Sequence, residues 1–255
     1  MNPPPSISAA IITFNEERNI RRCLESLGDV VDEIVVVDSF STDTTRNICE
    51  EFSVRFIQNP FEGHIQQKNF ALQATTHHWV LSLDADEALT DELRQSIRDW
   101  KLQPNGAGAM NRLTNYCGKW VHHCGWYPDT KIRLVDRRTC KWGGVNPHDK
   151  LLLPGDMPVI HLEGDLLHYS YYTREDHLKQ ITYFSSIAAK ELHARGKSSG
   201  FGLIFIKVLA QFFKSFFLKR GFLDGSTGWT ISRLSAYATF RKYDNLRKLN
   251  QGREL

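Results

Sequence analysis

Leu81-Ser82-Leu83-Asp84-Ala85-Asp86-Glu87 is the stretch on which the reading of this chain turns, because an apolar run stops there on two carboxylates spaced one residue apart. Side chains alternate along an extended segment, so at a strand's exit Asp84 and Asp86 are expected to face the same side and one divalent cation. Such a cation favours hard oxygen ligands and completes its shell with phosphate oxygens of a bound substrate. The same short pattern also fits an ordinary acidic turn, so the flanking sequence has to carry the argument.

Outward from that point, short apolar runs alternate with amphipathic stretches. Ile7 to Thr13 reads as a buried strand, and residues 16–27 follow as a helix with Ile20, Cys23, Leu24 and Leu27 at helical spacing, stopped by Gly28. Glu33 to Asp38 is a second strand, whose Ser41-Thr42-Asp43 turn caps a helix running to Phe52. Residues 54–58 form a third strand, 63–74 a helix, and 78–83 a fourth strand that delivers the aspartates. This alternation predicts an α/β fold with a doubly wound, mostly parallel sheet. Ligands on such sheets lie beyond the carboxyl ends of the strands. Thr13, Asn15, Glu16, Asp38, Ser39, Asp84 and Asp86 all fall at those ends and are expected to converge on one cleft.

Residues 90–101 read as a further helix, broken by Pro104-Asn105-Gly106. The character then changes: residues 107–153 are punctuated by glycine and by Tyr116, Trp120, Trp126, Tyr127 and Trp142, with a strand at 131–135. A helix over 173–195 carries Leu178, Ile181, Phe184, Ala188 and Leu192 on one face, which is expected to pack on the sheet.

At 255 residues the chain suits one large α/β domain, or a domain with an appendage. A net charge of +3 does not point to a nucleic-acid partner. The basic residues are uneven, however: between 207 and 253 they include Lys207, Lys214, Lys219, Arg220, Arg233, Arg241 and Lys242 against only Asp224 and Asp244, so this end is expected to meet an anionic surface. The five cysteines form no C-x-x-C pair and no secretory segment precedes them, which reads as reduced thiols in a cytoplasmic protein. Cys117, His122, His123, Cys124 and Cys140 match no common zinc spacing.

Phe201 to Leu218 is almost wholly apolar, apart from Lys207, Gln211 and Lys214 in a narrow polar stripe. A bilayer span needs about 20 mostly apolar residues, and each central lysine opposes insertion by roughly 3 kcal/mol. An interfacial helix is the better expectation, with Lys207 and Lys214 toward head groups and Lys219-Arg220 continuing the basic edge. Burial against another helix or a second subunit is the alternative. Residues 229–249 follow as an amphipathic helix with a basic face.

Four motifs now stand in order: Ile11-Ile12-Thr13-Phe14-Asn15-Glu16-Glu17, Val36-Val37-Asp38-Ser39-Phe40-Ser41-Thr42-Asp43-Thr44-Thr45, Gln67-Lys68-Asn69-Phe70-Ala71 and Leu83-Asp84-Ala85-Asp86-Glu87. In this order they resemble the family 2 glycosyltransferases, enzymes of the GT-A (nucleotide-diphospho-sugar transferase) fold. Residues 79–87, His168-Tyr169 and Gly221-Phe222-Leu223-Asp224-Gly225 are also similar to the bacterial lipopolysaccharide-core β-1,4-glucosyltransferase branch. The resemblance implies a GT-A domain over 1–195, with a nucleotide-binding half at 1–103 and an acceptor half at 104–172. A C-terminal segment of amphipathic helices at 196–255 would then lie on a membrane or pack internally.

The resemblance also implies roles. Thr13 and Asp38 would bind the nucleoside of a UDP-sugar donor, with Asp38 accepting from a uracil N–H, and Glu16 would belong to the same donor-binding set. Lys68 would face the nucleotide or its phosphates. Asp84 would sit near the ribose and the cation, while Asp86 and His168 would ligate Mg²⁺ or Mn²⁺. In the family pattern an acidic residue and a glycine usually follow Asp38; here Ser39 and Phe40 stand instead. The family's acidic dyad falls at His148-Asp149, which makes Asp149 the implied general base, with Glu87 as the competing candidate. Displacement opposite the diphosphate would invert the anomeric centre. The implied activity is an inverting, metal-dependent transfer of a sugar, glucose in that branch, to a lipid-linked envelope glycan such as lipopolysaccharide core, by an enzyme peripheral to the inner face of the cell membrane. A polyprenyl-phosphate glycosyltransferase, or a non-catalytic scaffold at the membrane surface, are the alternatives. A sugar-nucleotide pyrophosphorylase is excluded, since Ile12 to Arg18 contains no glycine.

Overall fold

The computed structural model describes residues 3–145 and 148–254. Its first half follows the hydrophobic periodicity: β1 (Ile7–Thr13), α1 (Ile20–Leu27), β2 (Glu33–Asp38), α2 (Thr45–Glu50), β3 (Arg55–Gln58), α3 (His64–Ala74) and β4 (Trp79–Asp84). The order β3-β2-β1-β4 is parallel throughout; β1, β2 and β4 are covered on both faces and read as largely apolar runs, while the edge strand β3 stays half-exposed. Alternate residues feed two cores. Ile7, Ala9, Ile11 and Val36 pack with residues of α1, and Ala10, Val35 and Val37 pack with Ala71 and Leu72 of α3 and with Trp142 and Leu151.

Register sets what stands at the carboxyl edge. Thr13 is opposite Asp38, and Ile12 is opposite Asp84, so the ends of three neighbouring strands come level. The chain then turns at Ala85-Asp86 into β5 (Glu87–Leu89). Next come α4 (Asp91–Leu102), capped by Thr90, whose hydroxyl accepts from Leu93 N, and β6 (Ala107–Tyr116), β7 (Lys119–Trp120), β8 (Thr130–Asp136), β9 (Lys141–Val145), β10 (His148–Leu152) and β11 (Val159–Tyr171). The large sheet continues from β4 through β8, β6 and β11 to β5. Its pairs β4·β8, β6·β8 and β11·β5 are antiparallel, and β9 and β10 form a separate antiparallel pair. The sheet is therefore parallel where the donor half was expected and antiparallel beyond it.

The remaining helices are α5 (Arg174–Ala194), α6 (Phe201–Phe213), which runs on into a π-helical turn at Lys214–Leu218, and α7 (Gly225–Asn250). Two compact units result, one comprising residues 1–112 and 129–169, the other 113–128 and 170–255. This differs from the expected boundary at residue 195: α5 packs chiefly along α7 and meets the ends of β6 and β11 through His177 against Tyr116 and Tyr171, and the stretch 104–172 is shared between the units. A capping box at Thr173 and Asp176 starts α5.

In the second unit Tyr116, Val121, Cys124 and Ile231 are the buried centre. The Gly221-Phe222-Leu223-Asp224-Gly225 motif acquires a physical reason there. A Cβ at Gly221 would meet Cys124 Sγ at 2.8 Å, and one at Gly228 would meet Gly221 O at 1.8 Å, so the corner before α7 closes only without side chains. Asp224 fastens this corner by accepting from His123 N at 2.9 Å and meeting its Nδ1 at 2.8 Å. The cysteines are free thiols, buried except Cys117.

Candidate active site

Lys68 comes from α3, where its neighbours turn it inward: Asn69 exchanges two hydrogen bonds with the Trp142 backbone, both of 2.9 Å, anchoring the helix to β9. The Lys68 ammonium lies 4.4 Å from the Trp142 ring centroid. It is also 3.0 Å from Asp84 Oδ1 and 2.9 Å from Asp149 Oδ2. Asp84 has a second cation, Arg133 of β8, at 3.1 Å, and the same guanidinium lies 2.6 Å from Glu87 Oε1. Five side chains thus form an alternating series: Glu87, Arg133, Asp84, Lys68, Asp149. Burial pushes the Asp84 carboxyl upward, yet Lys68 and Arg133 outweigh it and hold it well below the usual carboxylate range.

Sequence spacing placed Asp84 and Asp86 on one side by strand alternation, a rule that does not reach across the end of β4. β4 ends at Asp84, and Asp86 lies in the turn that follows, where strand alternation no longer applies. Asp86 instead meets His168, with Oδ2 and Nε2 3.2 Å apart. The β11·β5 pairing brings them together, since His168 is opposite Glu87 and Tyr169 N donates to Asp86 O at 2.9 Å. Among the described residues no group of three or more His, Cys, Asp or Glu is arranged as a ready metal cage. The donor set of Asp86 and His168, a hard carboxylate with a neighbouring imidazole, both partly open to solvent, fits a divalent ion that takes its other ligands from phosphate and water.

Glu16 joins this acidic corner. Its carboxylate accepts from Asn19 Nδ2 at 2.7 Å. Burial, opposed by that hydrogen bond and reinforced by the charges of Asp86, Asp43 and Asp84, pushes its carboxyl up to about 7. The folded chain therefore keeps a proton that the unfolded chain releases near 4.5. Its contribution to stability is present below that value and is lost as pH rises toward about 7. We expect Glu16→Gln to flatten this part of the stability profile, measured by urea unfolding in chelator between pH 5 and 8; an unaltered slope would exclude Glu16 as its source.

The donor-edge residues divide. Thr13 Oγ1 is buried without a hydrogen-bond partner, at the very end of β1. Asp38 is buried, and its oxygens accept from Ser41 N at 2.9 Å and Ser41 Oγ at 2.5 Å, so it braces its own loop. That loop locks onto the one after β1: Asn15 N donates to Ser41 Oγ and Thr42 N to Asn15 Oδ1, each at 2.8 Å. Phe40 holds φ of 62°, the left-handed region that explains why glycine is usual at this position. Glu87, the competing base, has a fully buried side chain, engaged by Arg133 and by Asp84 N at 3.0 Å.

Arg133 is the site residue that sequence reading missed. A lone arginine inside a strand pattern reads as a solvent-facing position, and its partners lie 46 and 49 residues away.

Residues 8–127 match the model of the glycosyl transferase family 2 domain. A glycosyltransferase of Rickettsia typhi is 31% identical over 255 residues, spanning 96% of this chain and 87% of the relative. The chain belongs to glycosyltransferase family 2. This family 2 chain is also 25% identical to the lipopolysaccharide core biosynthesis glycosyltransferase LpsC of Rhizobium meliloti, over 95% of both chains. Its GT-A architecture is similar to that of S. aureus TarS 1–349 in complex with UDP, with a TM-score of 0.45 and 16% identity over 97% of this chain and 92% of that one.

Proposed function

We propose that this glycosyltransferase moves a sugar from a UDP-sugar to a lipid-linked glycan of the cell envelope, with inversion, using Asp149 as general base. The observation that carries the reading is the Lys68 ammonium joining Asp84 at the donor edge to Asp149 on the β9·β10 pair. A base must stand within reach of the acceptor hydroxyl while a cation stands near the departing diphosphate, and this pairing supports both. Thr13, whose buried hydroxyl has an unused hydrogen bond, and the Asp38-braced loop would receive the nucleoside. Glu16 would complete that edge in protonated or ionised form according to pH. Asp86 and His168 would hold Mg²⁺ or Mn²⁺, which when bound supplies neutralisation of diphosphate charge.

The named activity of LpsC supports a lipopolysaccharide-core acceptor, and the branch resemblance supports glucose as the sugar. Titration of UDP by calorimetry, with and without Mn²⁺, tests the donor. We expect Asp86→Ala to lose the metal-dependent part of UDP binding, and undiminished affinity in that variant would remove Asp86 from the ion's shell.

The second unit supports a membrane-surface role. Phe201–Leu218 is, among the described residues, the one helical segment long and apolar enough by composition to cross a membrane. One member of its polar stripe does not lie as expected: Lys207 is half-buried with its ammonium 5.2 Å from the Tyr243 ring centroid, a cation–π contact within reach of a long side chain. Phe205, Ile206, Leu209 and Phe213 are among the exposed apolar residues, beside exposed Lys214, Lys219 and Arg220. Such a face suits shallow insertion into an anionic leaflet in the cytoplasm. The chain should float with vesicles containing phosphatidylglycerol and not with phosphatidylcholine alone, and Phe205→Ser with Leu209→Ser should release it. Flotation unchanged by the double substitution would place binding elsewhere.

A further inference from the structure

We propose that Asp149 and the donor diphosphate compete for Lys68, so that seating the donor draws the ammonium off the base and readies it. The inference rests on the reading of Asp149 as base and of a UDP-sugar as donor. It deepens that reading by assigning an order of events: donor first, then acceptor deprotonation.

One cation serves two carboxylates with different work. Lys68 is 2.9 Å from Asp149 and 3.0 Å from Asp84, with its side chain only 7% exposed. Asp149, 11% exposed, is largely closed off as well. It also has an oxygen occupied where an acceptor hydroxyl would have to donate. In this pairing Asp149 is masked.

The exchange is electrostatically feasible because the series has a second cation. When Lys68 moves, Asp84 keeps Arg133 at 3.1 Å, so no buried carboxylate at the donor edge is stranded. Lysine suits such a swing: its charge sits on a flexible stem and its donors rotate, whereas the planar arginine fork of Arg133 is fixed on Asp84 and Glu87. Trp142, whose ring flanks both Lys68 and Arg133 at 4.4 and 5.5 Å from its centroid, supplies an uncharged wall along which the ammonium can move.

In the transfer itself the acceptor oxygen forms its bond to the anomeric carbon as the bond from that carbon to the diphosphate oxygen breaks. The electron pair leaves with UDP, and the hydroxyl proton passes to Asp149. Lys68 is then on the side where negative charge develops and away from the side where the proton arrives. Without a donor the base stays paired, which restrains futile activation of water.

A double-mutant cycle on UDP affinity tests the competition. UDP is titrated calorimetrically, at saturating Mn²⁺, into the wild-type chain, Asp149→Asn, Lys68→Gln and the double variant. Removing the competitor should tighten UDP binding by about five- to tenfold in Asp149→Asn, whereas Lys68→Gln should weaken it. The decisive comparison is in the Lys68→Gln background, where Asp149→Asn should give no gain. A general electrostatic effect of removing one negative charge would persist in that background, so equal gains in both overturn the exchange. Unchanged or weaker affinity in Asp149→Asn also overturns it, and leaves the donor reading intact. No UDP binding by the wild-type chain overturns the donor reading itself, and the exchange with it. Should Asp149→Asn melt early, Asp149→Ser removes the same charge and serves the same cycle.

Discussion

Asp149→Asn is expected to lower turnover by about a hundred- to ten-thousandfold, the span for loss of a general base, while the protein still binds UDP. The expectation follows from where each carboxylate is spent. Glu87 is fully buried and paired with Arg133 at 2.6 Å, so a hydroxyl cannot approach it. Asp84 is held between Lys68 and Arg133 and stays ionised far below neutral pH, which makes it a poor proton acceptor. Asp86 faces His168. Asp149, on the antiparallel β9·β10 pair apart from the main sheet, is ion-paired with Lys68 and keeps a side chain that is 11% exposed. Asparagine keeps the shape and a hydrogen-bond acceptor for Lys68, and loses only the capacity to take a proton. Single-turnover measurement with preloaded donor isolates that step. Turnover within a few-fold of wild type would reassign the base.

How far the sequence could be read depended on which forces are local. β1 to β4 and α1 to α3 were legible because a parallel strand buried on both faces writes itself as an apolar run and its helix as a 3.6-residue stripe. The expectation that Thr13, Asp38 and Asp84 share one edge needed only strand order, and the register bears it out. What lay beyond residue 104 was harder. β11 runs from Val159 to Tyr171 with scarcely a continuous apolar stretch, because an antiparallel strand with a partly open face keeps polar residues. For Asp84 and Asp86 strand alternation was the wrong rule to lean on, because β4 stops at Asp84 and the β11·β5 pairing sets the partner of Asp86. Lys207 misled for the opposite reason: a charged residue on an apolar helix is read as facing water, whereas here Tyr243, 36 positions on, draws it inward. Arg133 and Lys207 are both side chains whose partners are remote in sequence.

Arg133→Leu is expected to cost about 3–5 kcal/mol of stability, the scale for breaking a buried ion pair from one side. The Arg133 side chain is 4% exposed and that of Glu87 is fully buried. Leucine fills most of the volume but leaves the Glu87 carboxylate charged in a low-dielectric interior. Arg112, 3.6 Å from the same oxygen and itself 21% exposed, offers only partial relief. For a chain of this size each kcal/mol lowers the melting temperature by roughly 2–4 °C, so the drop should be about 6–20 °C. The sign of the remedy separates charge from packing. Adding Glu87→Gln removes the stranded charge while keeping an acceptor for Asp84 N, and should recover a substantial part of the loss; a cavity would be unaffected by it. If Arg133→Leu melts within 2–3 °C of wild type, the buried pair is not what holds β5 to β8, and the support for Asp84 must come from Lys68 alone. That outcome would also bind Lys68 more tightly to the donor edge, since Asp84 would have no other cation once the ammonium left.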